Sequence, residues 1–131
     1  MQIATGFFDS LGNPRLKIGL AGALSGQTPT EFEAVIDTGF SGFVSIPVIR
    51  AFPLGLPLVG DTFVELADGQ QQMKLMGQGK ATLHSRSAWG LVILEQAAKD
   101  VLVGMDFLRT LGLGVLVTSN KVEIYHEPKI K

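Results

Sequence analysis

Apolar positions along the chain fall in short runs divided by turn-forming residues, not in the periodic stretches of about 10–12 residues that a helix requires. Residues 1–8 and 15–20 read as two strands, separated by the turn cluster Ser10-Leu11-Gly12-Asn13-Pro14. Small and polar residues at 22–29 predict a loop. Residues 30–36 alternate through Glu31, Phe32, Glu33 and Ala34 and then become wholly apolar at Val35-Ile36. That is the pattern of a strand passing from the surface into a core. A second apolar run at 43–46 stops at Pro47, and residues 51–60, carrying Pro53, Gly55 and Pro57, predict a loop packed by its leucines.

The second half continues in the same way. Residues 62–66 and 71–75 flank Ala67-Asp68-Gly69-Gln70, where Asp-Gly is a strong hairpin signal because Gly supplies the positive φ of the turn. Residues 79–83 and 89–94 predict another hairpin around His84-Ser85-Arg86, and Val101-Leu102-Val103 a buried strand. The one predicted helix covers 106–111, with Asp106 as cap or first-turn residue and Gly112 at its C-terminal end. Residues 114–117 and 121–125 form a last hairpin around Thr118-Ser119-Asn120, ahead of a short solvated tail. No repeat, linker or low-complexity segment interrupts this order, which describes a single mainly-β domain over 1–131.

Composition narrows the functional classes. With 11 Lys+Arg against 12 Asp+Glu the net charge is -1, so the basic stripe that neutralises nucleic-acid phosphates is missing. Charged residues make up 18%, below the ~25% usual for soluble domains, which hints at an oligomer that covers part of its surface. Cysteine is absent, which removes disulfides, thiolate metal sites and cysteine nucleophiles. No apolar run approaches the ~18 residues of a membrane span, and no basic segment followed by an apolar stretch marks a signal peptide. These features together predict a cytoplasmic protein with no membrane contact.

Several motifs fail on inspection. Gly77-Gln78-Gly79-Lys80-Ala81 lacks the upstream Gly of a phosphate loop and has Ala81 where Ser or Thr is needed. Gly39-Phe40-Ser41-Gly42-Phe43 is not a nucleophile elbow, because Phe43 takes the last Gly position. His84 and His126 have no histidine at metal-ligand spacing, so no metal and no cofactor is expected.

Ala34-Val35-Ile36-Asp37-Thr38-Gly39 is different. A carboxylate at the end of an apolar strand costs several kcal/mol to bury unless it is hydrogen-bonded or shares its charge. Such a group is retained chiefly where it does chemistry. Taken alone, Asp-Thr-Gly is equally a turn in which Asp37 bonds its own backbone. In context the order is apolar strand, Asp-Thr-Gly, second apolar strand, Asp-Gly hairpin, then Val101-Leu102-Val103-Gly104 leading into a short helix. That order resembles the retropepsin-like (clan AA) single-domain aspartic proteases, the retroviral type with its bacterial and archaeal relatives. Phe40 resembles in particular a prokaryotic subgroup with Asp-Thr-Gly-Phe. The likeness runs from about residue 33 to 125, and is most specific at 35–39 and 102–108.

The resemblance implies a small closed β-barrel with one short C-terminal helix, forming a two-fold dimer. It implies an aspartic-type endopeptidase with Asp37 as the catalytic carboxylate. Thr38 would lock the two active-site loops across the dimer axis, and Gly39 would let backbone approach the carboxylate and the substrate. Leu66, Ala67, Asp68, Gly69 and Gln70 would be the substrate-binding flap tip, and Leu102, Val103 and Gly104 the strand and turn packed against the active-site loop. Asp106 reads more simply as a helix cap. The chemistry needs two carboxylates and the chain holds one Asp-Thr-Gly, so the implied partners are a second copy of the chain and a peptide or protein substrate. Three features depart from the pattern: Phe40 stands where many relatives have Ser or Ala, the flap carries Asp68 instead of a Gly-rich tip, and the only tyrosine is Tyr125. An inactive peptide-binding or assembly module on the same fold is the alternative.

Overall fold

The computed structural model describes residues 2–22, 28–65 and 67–127. In chain order its elements are β1 (Gln2–Thr5), β2 (Phe7–Phe8), β3 (Pro14–Ala21), β4 (Thr30–Ile36), β5 (Val44–Pro47), α1 (Val48–Ala51), a 3-10 turn (Phe52–Leu54), β6 (Leu58–Glu65), β7 (Gln71–Leu83), β8 (Arg86–Glu95), β9 (Leu102–Val103), α2 (Met105–Leu111), β10 (Leu113–Val117) and β11 (Val122–His126).

Eight strands form one sheet in the order β2-β3-β4-β9-β5-β8-β7-β6. The sheet curls until β7 meets β3 again, with Gly19 opposite Thr82, Leu20 opposite Ala81 and Ala21 opposite Lys80. A smaller sheet, β1-β11-β10, packs beside it, and both edges of its central strand β11 are taken by strands of the same chain. Alternation along β3 and β4 puts Leu16, Ile18, Leu20, Phe32, Ala34 and Ile36 inside, where they meet Val44, Ile46, Val92, Val103, Phe107 and Ile124 in one core. Phe43 and Phe107, both buried, stack with centroids 5.7 Å apart and planes tilted by 55°. The β8 backbone passes so close to this pair that a Cβ on Gly90 would lie 2.6 Å from Phe43 Cε2.

Several boundaries differ from the sequence reading. The stretch 48–54, of which only 51–54 belong to the loop expected over 51–60, makes a helical turn and a 3-10 turn, so α2 is not the only helix. Pro47 precedes α1 and Pro53 opens the 3-10 turn, positions where a missing N–H costs nothing. The first predicted strand divides at Gly6, whose Cβ position is already filled by Val122 and the carbonyl of Arg15. Strand β7 runs unbroken through Gly77 and Gly79, which lie flat beneath Leu56. The His84-Ser85 turn is tight, with His84 at φ 55°.

Candidate active site

Asp37 directly follows β4, and strand β9 fixes its position. Strand β9 lies between β4 and β5, parallel to the first (Val35 opposite Leu102, Ile36 opposite Val103) and antiparallel to the second (Val44 opposite Val103). The segment 37–43 therefore wraps across the end of β9. The Val35 N–H donates to Val101 O at 2.8 Å and the Asp37 N–H to Val103 O at 3.0 Å. Val103 is buried, so this register is held by the core itself.

The chain leaving β9 closes the far side of the loop. The Gly104 N–H donates to Phe43 O at 3.1 Å, the Met105 N–H to Phe40 O at 2.8 Å, and the Asp106 N–H to Ser41 O and Gly42 O at 3.2 and 3.1 Å. The first N–H groups of a helix have no partner within it, and here the loop carbonyls supply one. That corrects the reading of Asp106 as a helix cap. The N-cap is Gly104, no side chain caps α2, and Asp106 is an exposed first-turn residue. Only Gly fits at 104, since a Cβ there would lie 2.6 Å from Phe40 Cδ2 and closer still to the carbonyl oxygens of Phe40 and Gly42.

Within the loop, Asp37 Oδ1 accepts the Gly39 N–H at 2.9 Å, and the Phe40 N–H donates to Asp37 O at 3.1 Å. The self-bonded turn and the strand-end carboxylate are thus one structure. Asp37 is half-buried, Thr38 and Gly39 are exposed, and a Cβ on Gly39 would sit 3.3 Å from Asp37 Oδ1. The Phe40 ring folds over Gly42, where a Cβ would lie 2.6 Å from its Cζ.

Beside the loop is an open cleft of about 420 Å³, walled by Gly39, Phe40, Ser41 and Gly42 on one side and by Thr62, Phe63 and Glu65 of β6 on the other, with Ile93 of β8 as floor. Strand β6 of the hairpin β6–β7 thus faces residues 39–42 across this cleft. Of the expected flap tip, Ala67, Asp68, Gly69 and Gln70 are exposed at the end of this hairpin, and Leu66 lies outside the described residues. Asp68 Oδ1 accepts the Gln70 N–H at 3.0 Å, and Gly69 has φ 84°. The sequence reading missed Phe63, Glu65 and Ile93 as cleft residues. An aromatic at an outward strand position was the available signal for Phe63; Ile93 had none, because only the fold brings it to the loop.

Among the described residues no group of three His, Asp or Glu side chains converges on a metal-sized site. No helix among them is long and apolar enough to cross a membrane. Two ion-pair networks lie away from the cleft. Arg15 Nε pairs with Asp9 Oδ2 at 2.7 Å and its Nη2 with Asp100 Oδ1 at 2.8 Å. The Asn13 backbone N–H and then the Arg15 guanidinium hold Asp9 down at about 2. In the smaller sheet, Glu123 joins Lys121 at 2.7 Å and accepts from the Tyr125 hydroxyl at 2.6 Å. These contacts lower the Glu123 carboxyl and raise the Tyr125 phenol.

No protein-family model and no curated protein matches the chain in sequence. Solved structures do match in shape. A retropepsin-like aspartic protease from Rickettsia conorii superposes with a TM-score of 0.64 at 13% identity, over 93% of this chain and 89% of that one. The EIAV protease in complex with the inhibitor HBY-793 superposes with a TM-score of 0.60 at 15% identity, over 84% of this chain and 98% of that one. With its mainly-β curled sheet, its strand-end Asp37 loop and a hairpin facing that loop across a cleft, the chain has the retropepsin-like fold.

Proposed function

We propose that the chain is an aspartic endopeptidase that works as a homodimer. The observation that carries this reading is the Asp37 loop, clamped between β4, β9 and α2 with its exposed Thr38-Gly39 side open and a hairpin facing it across the adjoining cleft. Phe40 after the tripeptide supports placing it with the prokaryotic Asp-Thr-Gly-Phe branch.

One chain supplies one such carboxylate, so the second comes from a two-fold partner that sets its Asp37 beside the first. Two carboxylates ~3 Å apart do not both ionise readily, and the pair shares one proton. The ionised member draws a proton from a water held between them, and that water attacks the peptide carbonyl. The protonated member donates to the carbonyl oxygen, giving a tetrahedral diol with no covalent bond to the protein. The apparent pKa values belong to the pair. Thr38 braces the two loops against each other, and Gly39 leaves the approach to the carboxylate clear. Leu102, Val103 and Gly104 are positioning residues that act through the loop. The flap tip at 66–70, together with Phe63 and Glu65, closes over an extended peptide whose alternate side chains enter apolar pockets.

The test is a peptide-library digest read by mass spectrometry from acid to neutral pH, run beside Asp37→Asn, with sedimentation to establish the dimer. Cuts made by the wild type alone are the expected result. An absence of cuts from a folded dimer would instead assign the chain to the peptide-binding alternative.

A further inference from the structure

The outer face of β8 carries an apolar line that begins inside the cleft. Ile93 forms the cleft floor. Strand alternation points Leu91 and Trp89 the same way, while Val92 and Leu94 on the opposite face are buried in the core. Leu91 is 48% exposed and Trp89 47%. Their cross-strand partners on the same face are Met76 beside Ile93, Gln78 beside Leu91 and Lys80 beside Trp89. Among the described residues Lys80 has no ion-pair partner. At ~3.3 Å per residue the line from Ile93 to Trp89 is about 13 Å long, the reach of four residues of extended peptide.

The size of this strip argues for its occupant. A leucine and a tryptophan offer at most a few hundred Å² of contact. A stable interface between two copies needs ~800 Å² per partner. A single extended chain leaving the cleft needs only a strip one strand wide, and Ile93 belongs to both cleft and strip. Strand β8 is already paired with β7 along 86–94 and with β5 along 92–95, so contact here is through side chains across the face.

We infer that substrate polypeptide leaving the cleft past Ile93 continues over Leu91 and Trp89, with an acidic side chain meeting Lys80 at the far end. This rests on the protease reading and sharpens it. The preferred substrate is an unfolded protein segment with apolar residues well away from the cut and an acidic residue beyond them, so short peptides that fill the cleft alone are poorer substrates.

The experiment uses β-casein, an unfolded, apolar and acidic polypeptide, and octapeptides spanning its cut sites. Trp89 is the only tryptophan, so its emission reports on the strip directly. Titrating the Asp37→Asn protein with β-casein is expected to shift that emission to the blue and saturate, whereas octapeptides leave it unmoved. In the wild-type background, the double substitution Trp89→Ser/Leu91→Ser is expected to lower kcat/KM for β-casein about tenfold while leaving octapeptide cleavage unchanged, in the range of a buried aromatic contact. Thermal melts confirm that the variant, altered only at exposed positions, is folded. Equal cleavage of β-casein by both proteins, or an emission that casein does not move, overturns the inference. So does a blue shift that grows with protein concentration alone, which would assign the face to a second copy. Failure of the wild type to cut either β-casein or any octapeptide would refute the protease reading separately, since the casein titration reads the strip without catalysis.

Discussion

Around Asp37, backbone hydrogen bonds arrive from β9 on one side and from the start of α2 on the other, and every loop carbonyl from Phe40 to Phe43 accepts one. The hairpin across the cleft is held differently. Strands β6 and β7 pair with each other from Glu65 opposite Gln71 down to Leu58 opposite Gly77. Its apolar cross-strand pair, Phe63 and Met73, is 67% and 58% exposed. At the base a register shift falls between Leu58 and Gly60, and Gly60 has φ 146° with open space about it. General acid-base chemistry depends on groups held in fixed geometry, and the loop has such an anchor. On the protease reading the hairpin is a cover that has to open, and elements that move come from the weakly packed end of a structure's stability range. The contrast divides the site into a part fixed by the core and a part tethered only at its foot.

Substitutions that strike the two parts should give opposite signatures. Asp37→Asn is expected to abolish cleavage, by about 10³-fold or more on the scale of general acid-base catalysis, with the melting temperature close to wild type; calorimetry beside the digest checks both. Gly104→Ala strikes the clamp. Its Cβ has no room among Phe40 and the loop carbonyls, so overpacking is expected to cost about 2–3 kcal/mol, visible as a lower urea midpoint with activity reduced in parallel.

Phe63→Ala strikes the cover instead. At an exposed position its stability cost should stay within about 0.5 kcal/mol, while KM for apolar peptides rises and kcat holds. A fall in both stability and kcat would erase the contrast. The smallest effect concerns a brace outside both parts. Asp9 in the folded protein titrates at about 2 against an ordinary 3.8. Its carboxylate therefore adds stability that is complete above about 4 and disappears as pH falls through 2. Asp9→Asn should flatten the acid limb of the stability curve in that window, leave neutral-pH stability slightly reduced, and spare the loop; a pH series of melts reads it.

Much of this arrangement is legible in local sequence. Strand β4 occupies the predicted 30–36, because its alternation ends in an apolar pair that only a core accommodates. Asp68-Gly69 and His84-Ser85 mark real turns, and Gly112 ends α2 in the left-handed conformation. The helical turns at 48–54 were hidden because Pro47 and Pro53 signal a break in a strand as readily as the start of a helix. The strands read at 71–75 and 79–83 are one strand, β7, and Gly77 and Gly79 serve the close passage of Leu56 over it. Asp37 was visible as a motif, and the resemblance pointed to 102–104 beside its loop, but the hydrogen bonds from the start of α2 were not legible. A cap made of loop carbonyls leaves no side-chain signature, so Asp106 drew the attention that Gly104 merited. Phe63 and Ile93 reach the cleft only through the curl of the sheet.

The insertion of β9 between β4 and β5 also has a bearing on the chain during its synthesis. Strand β4 and the Asp37 tripeptide leave the ribosome ahead of their partners, since the carbonyl that holds Asp37 belongs to Val103 and the groups that close the loop to Gly104, Met105 and Asp106. Pairings this distant in sequence form late. A nascent chain, or one cut short before α2, has the carboxylate without the loop that aims it. On the protease reading, completion of translation is itself a safeguard, because until then the carboxylate is not placed to activate a water.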